Sequence, residues 1–278
     1  MALPSLEGNW FSGKRGNARL YLLDVRDKRH PEGAPIAQLL VEREETVVPD
    51  EKEGHTFEAQ LQLFYQVLWS NGGLQPLASG HFQASYRREF DDGEIVSLTG
   101  RNGAPGTVFL DPESLRGQRV GTYLMNELVA WVQRWPEADV HPIQLENAQA
   151  YEANRARRNR FYERFGIVFD YQDAGHQEGR SRPMKVRELL PVLSWQENIQ
   201  ERDIRDVLET QRRENELLTF ERDGRVRALE QANDQLRRAC RQPLRWAVSQ
   251  LWRLHAPSRG AVLLALMVAG MLWWQFKS

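Results

Sequence analysis

The residues whose types and spacing promise chemistry lie between positions 107 and 134, TVFLDPESLRGQRVGTYLMNELVAWVQR. Arg116, Gly117, Gln118, Arg119, Val120 and Gly121 set two glycines and two cations between a short apolar run and an amphipathic segment. The first backbone N–H groups of a helix lack intrahelical acceptors, and the helix dipole favours an anion beside them. Glycine removes the Cβ that would hold a phosphate away. The chemistry this predicts is phosphate binding. Neither Gly-x-x-x-x-Gly-Lys-Ser/Thr nor Gly-x-Gly-x-x-Gly occurs, which argues against a P-loop or a dinucleotide fold.

The elements that must position these residues follow from periodicity. Val108, Phe109 and Leu110 read as a strand, and residues 111–115 as a polar turn. Val120, Leu124, Leu128, Trp131, Val132 and Trp135 recur every three or four residues, the mark of one helix face. Residues 142–146 read as a further strand. Residues 151–165 read as a helix ending at Gly166, a residue suited to the position after a helix.

These two stretches resemble the GNAT N-acetyltransferase superfamily, over residues 75–190. Its acetyl-CoA motif is a strand, then Arg/Gln-x-x-Gly-x-Gly/Ala, then a helix. Arg116 matches the first position and Gly121 the sixth, while Arg119 occupies the fourth, where glycine is usual. A second family pattern, aromatic-Tyr-x-x-x-Gly-apolar, is matched by Phe161, Tyr162, Gly166 and Ile167.

The resemblance implies an α/β (α+β) fold, a mixed and mostly antiparallel sheet with flanking helices, and acetyl-CoA as co-substrate. It implies a pyrophosphate cradle from the backbone of Gln118, Arg119, Val120, Gly121 and Thr122, with Gly117 in the loop and Arg116 and Arg119 adding charge. Backbone at Leu110 and Asp111 would pair with the pantetheine and polarise the thioester carbonyl. Tyr162 takes the place of a tyrosine that protonates the departing thiolate, and Asn154 that of a pantetheine contact, with Asn159 as the competing choice. Acetyl transfer also needs a base for the amine. Glu146, at the end of its strand, is the first candidate and Glu113 the second. The bland reading makes Tyr162 a core aromatic beside Phe161 and Phe165, and both carboxylates solvated. Arg155, Arg157, Arg158, Arg160 and Arg164 crowd one short helix, either to attract an anion or as a solvated face paired with Glu152 and Glu163.

The 278 residues leave room for one large domain or two modest ones with extensions. A net charge of −1 gives no global attraction to nucleic acid. Cys240 is the one cysteine, so no intramolecular disulfide is expected, and the absence of a Cys/His cluster argues against a metal site. The N-terminus lacks a signal-peptide pattern.

Residues 1–100 read as β-rich, with strands at 18–23, 35–48, 57–65, 77–90 and 94–99. Phe57, Ala59, Leu61, Leu63 and Tyr65 alternate onto one face. The paired N-terminal helices usual in the family are not evident. Residues 167–171 and 182–192 are the expected closing strands, joined by a loop at 173–181. Pro191 is expected to end the domain, which gives 1–193 as one unit, divided at residue 100 into the β-rich part and the cofactor-binding core.

Residues 194–241 are dense in charge and read as a helical linker. Leu208, Asn215, Arg222, Leu229 and Leu236 at position a, with Ile204, Gln211, Leu218, Arg225 and Ala232 at d, make a broken coiled-coil seam. Residues 242–258 read as a basic amphipathic helix suited to a membrane surface. Residues 260–276 are almost wholly apolar and read as a transmembrane anchor, with Trp273 and Trp274 at the interface. Arg245, Arg253 and Arg259 upstream, against Lys277 beyond, orient the preceding chain to the cytoplasm. Ala261, Ala265 and Ala269 form a small-residue stripe that, with the seam, suits a homodimer.

The expectation is an acyl-CoA-dependent N-acyltransferase, with acetyl as the acyl group, held to a membrane. Its acceptor amine is a protein, a small amine or an aminoacyl-tRNA. The rival expectation is a non-catalytic scaffold or CoA sensor of the same fold.

Overall fold

The structure is a computed structural model, and it describes residues 17–49, 56–71, 78–89, 93–99, 115–147, 150, 152–255 and 267. The chain divides into two units, residues 1–208 and 209–278.

Five antiparallel strands open the first unit: β1 (Asn17–Arg26), β2 (Pro35–Pro49), β3 (Thr56–Ser70), β4 (Ser79–Arg88) and β5 (Glu94–Ser97). Their side chains alternate, and one face is the core. It carries Leu23 and Val25 from β1, Leu39 and Val41 from β2, Leu61, Leu63 and Tyr65 from β3, and Phe82 and Tyr86 from β4. Of the alternating set expected on β3, Ala59, Leu61, Leu63 and Tyr65 are buried and Phe57 is half-buried. Gly80 lies opposite Tyr65, and a Cβ there would fall 2.4 Å from the phenol oxygen, so the ring takes the place of a side chain.

Helix α1 (Val120–Val132) covers this face. Its predicted stripe is in place: Val120, Leu124, Leu128, Trp131 and Val132 are buried, and Trp135 stacks on Tyr86 at 4.1 Å. Each such side chain contributes about 1.5–3 kcal/mol through burial, which makes α1 the apolar keystone of the unit. Among the described residues no helix precedes it.

After α1 the chain makes a short strand, β6 (Asp139–Val140), parallel to β5. His141 N–H still reaches Val96 C=O at 2.7 Å, but Pro142 has no N–H to continue the ladder. The chain then leaves β5 for a second sheet as β7 (Gln144–Leu145), paired with β9 (Gly179–Ser181), which in turn pairs with β8 (Phe169–Tyr171). Helix α2 (Glu152–Glu163) lies between β7 and β8 in the chain.

Three sequence expectations need correcting. The second closing strand is Gly179–Ser181, within the stretch expected as a loop, while residues 182–192 contain a 3-10 turn at Val186–Glu188 and no strand. Ser181 is pulled into the ladder by its N–H on Ile143 C=O and its Oγ accepting Ile143 N–H. Pro191 does not end the unit. A further strand, β10 (Ile199–Asp203), returns to pair antiparallel with β1, Val25 opposite Ile199. The long helix therefore begins at Ile204 and not at residue 194, and runs as α3 (Ile204–Arg241).

No residue of α3 is buried, and Arg212–Glu216 and Arg213–Glu209 pair along it at one-turn spacing. Helix α4 (Pro243–His255) follows. No helix among the described residues is long and apolar enough to cross a membrane. The expected anchor at 260–276 lies outside the described residues apart from Met267.

Candidate functional site

The turn entering α1 is built from two left-handed residues, Gly117 at φ 83° and Arg119 at φ 67°, ψ 8°. The first intrahelical bond runs from Tyr123 N–H to Arg119 C=O at 2.9 Å, so the N–H groups of Val120, Gly121 and Thr122 belong to the helix's open end. Val120 and Thr122 are buried, Arg116, Gln118, Arg119 and Gly121 half-buried, and Gly117 exposed. The turn is held from two sides. Gln118 Oε1 accepts Lys28 N–H at 3.0 Å, and Gln118 C=O accepts Asn198 Nδ2 at 3.0 Å.

Arg119 does not keep its charge free for a phosphate. Its Nη1 donates to Ser194 C=O at 2.7 Å, to the Glu197 carboxylate at 2.7 Å and, more weakly, to Asn198 Oδ1 at 3.3 Å. Asn198 is 1% exposed and also donates to Arg26 C=O at 2.9 Å. One buried amide thus joins the β1 end, the turn into α1 and the segment before β10. Nothing local in the sequence marks Asn198, which lies about 80 positions from the turn it holds.

Gly121 faces α2 closely: a Cβ there would lie 3.8 Å from the Phe161 ring and 3.9 Å from Phe82. That spacing brings the open end of α1 next to the Phe161–Tyr162 pair. Tyr162 is 6% exposed and edge-on to Phe161 and Phe169. Burial pushes its phenol up to about 12, partly countered by the nearby Arg158 guanidinium, so it stays protonated throughout the neutral range.

Arg158 is itself buried, and burial lowers its pKa below the usual guanidinium value. It donates to Glu146 C=O and Gln177 C=O, both at 2.8 Å, and to Asn159 Oδ1 at 3.1 Å. It therefore ties α2 to the end of β7 and to the β8–β9 loop. Asn159 is buried and donates to His176 C=O, while Asn154 is half-buried and accepts from Arg157 at 2.6 Å. Glu146 is exposed, just past β7, with its carbonyl engaged by Arg158. Arg155 and Arg160 line an open groove of about 350 Å³ with Asn159, Glu163, Tyr171 and His176. The five arginines thus divide by task, one buried as a brace and the others at the surface or half-buried.

Leu110, Asp111 and Glu113 lie outside the described residues. Among the described residues no group of His, Cys, Asp and Glu could hold a metal ion. The residues that sequence reasoning missed are Lys28, Glu197 and Asn198, all from segments with no motif. Comparison of the chain with protein-family models, curated proteins and solved structures found no match.

Proposed function

We propose that the chain is an acyl-CoA-dependent N-acyltransferase of GNAT type, using acetyl-CoA, with residues 260–276 as a membrane anchor that keeps the preceding chain cytoplasmic. The observation that carries the reading is the meeting of the α1 open end with the Phe161–Tyr162 end of α2 across Gly121. Supporting it are the mostly antiparallel sheet, the order turn, helix, strand, helix, and the passage of the chain from β5's sheet into a second sheet at β7. The open N–H groups of Val120, Gly121 and Thr122 would receive the pyrophosphate. Tyr162, kept protonated by burial, would give its proton to the CoA thiolate as the acceptor amine attacks. Glu146 remains the proposed base because it is exposed at the end of β7. The seam of α3 and the anchor would bring two copies together.

The test is calorimetric titration of acetyl-CoA into the full chain, alongside Tyr162→Phe in an acceptor-amine screen. A fragment ending at residue 194 would lack β10 and Asn198 and is unsuitable. Micromolar binding, with turnover lowered roughly 10²-fold by Tyr162→Phe at unchanged acetyl-CoA affinity, supports the enzyme. The non-catalytic reading is favoured by the burial of Tyr162 among Phe161 and Phe169. It predicts binding without turnover.

A further inference from the structure

We propose that Arg119 is a positioning residue: its anchored side chain holds the turn into α1 in the left-handed conformation, and its charge is not offered to the ligand. The inference rests on the reading of that turn as the acetyl-CoA site. At φ 67° a side chain with a Cβ is strained, whereas glycine adopts the conformation freely. A residue kept there must be compensated elsewhere, and the compensation is visible. The guanidinium meets Ser194 C=O, the Glu197 carboxylate and Asn198 Oδ1, all three in the short segment before β10.

Two features separate this from a charge role. The positive charge already faces a carboxylate at 2.7 Å, which cancels much of its field at any neighbouring phosphate. The same segment grips the preceding residue, since Asn198 Nδ2 holds Gln118 C=O. Side chain and backbone are therefore clamped to one support, and the direction of the following N–H groups is fixed by that clamp. Arginine replaces the freedom of glycine with an anchor 75 residues away in sequence.

The experiment uses the full chain and three variants, Arg119→Gly, Arg119→Ala and Arg119→Lys, each titrated with acetyl-CoA well below its melting midpoint. Glycine restores the conformation without the anchor, so Arg119→Gly binds within about threefold of the parent. Alanine, and lysine with its single ammonium in place of a fork, must enter the left-handed region unaided and bind about tenfold more weakly. Retention by Arg119→Lys with loss by Arg119→Gly would overturn the proposal in favour of charge. Parent-like affinity in all three would also overturn it, because the turn's conformation would then not govern the site. If the parent chain binds no acetyl-CoA, the functional reading falls, and melting decides the conformational claim: Arg119→Gly must melt above Arg119→Ala and Arg119→Lys, and equal midpoints defeat it.

Discussion

Gly166 and Arg119 adopt the same backbone conformation by opposite means. Gly166, at φ 82° just after α2, has no side chain, and one would be crowded: a Cβ there would lie 3.0 Å from Glu188 C=O and 3.3 Å from Leu190 Cγ. Arg119, at φ 67° just before α1, has a long side chain whose far end is bound in three places. The first position combines a left-handed backbone with surroundings that crowd any side chain. The second is left-handed because the surroundings grip what is there. Gly117 and His176 complete the set of positive-φ residues among those described, one beside the end of the Lys28 side chain and one in a loop.

The difference orders the expected effects of mutation. Gly166→Ala combines conformational strain with a tight contact against the Glu188 carbonyl, which must give way, and should cost about 3 kcal/mol. Denaturant unfolding measures it. A cost under about 1 kcal/mol would mean that the Leu189–Leu190 segment yields easily, and the contrast with Arg119 would lose its basis.

Asn198→Ala attacks the other solution. It strips the donor from two carbonyls, Arg26 and Gln118, and one acceptor from Arg119, at a site 1% exposed. An expected loss of about 2 kcal/mol follows from leaving buried polar groups unpaired. In a double-mutant cycle with Arg119→Gly the two losses should be less than additive, because the second change removes a partner the first has already lost. Full additivity would separate Asn198 from the Arg119 side chain.

Gly117→Ala isolates the conformational cost alone. The added Cβ would meet only Lys28 Nζ at 3.6 Å, an ordinary contact with the end of a flexible side chain. The expected loss is about 1 kcal/mol, the price of the left-handed region without crowding. A loss as large as that of Gly166→Ala would show that strain, and not the Glu188 contact, dominates both sites.

What the sequence made legible follows the same division. The stripe of α1 was readable because apolar spacing of three and four has one physical cause, a single buried face. Gly166 was readable as the residue closing the turn after α2, which ends at Glu163 and not at 165, because the conformation needs glycine. The role of Arg119 was not readable. Its local pattern marked a loop cation, and its partners Ser194, Glu197 and Asn198 arrive through a strand, β10, of five residues with no flanking turn signal. Gly179–Ser181 was missed for a similar reason: three residues, one of them glycine, carry too little alternation to announce a strand. Tyr162 was legible as a position, while its burial, the cause of its raised pKa, depends on packing against Phe169, which only the fold assembles.

His176 offers the smallest effect and the finest test, because its left-handed backbone is supported by a titrating group. Its N–H donates to Asp173 C=O at 3.1 Å, and the Asp173 carboxylate accepts the next two N–H groups, Gln177 at 2.8 Å and Glu178 at 2.9 Å. Those backbone donors, that of Glu178 foremost, hold the carboxyl below its ordinary value of 3.8. The loop therefore gains from ionised Asp173 above that ordinary value, and the gain disappears as pH falls through the lowered, folded-state value. The Gln177 and Glu178 amides should lose their protection against exchange, relative to the intrinsic rate at each pH, only when the pH drops below this range, while the Gly166 turn, with no titrating support, should show no such step. The Tyr171–His176 stack, 4.1 Å between centroids, gives a second probe in the histidine ring resonances. Asp173→Asn should remove the acid step by ending the titration. A step that survives Asp173→Asn would assign the pH response to another carboxylate and leave His176 held by its ring stack, by Asn159 and by the residue-173 carbonyl.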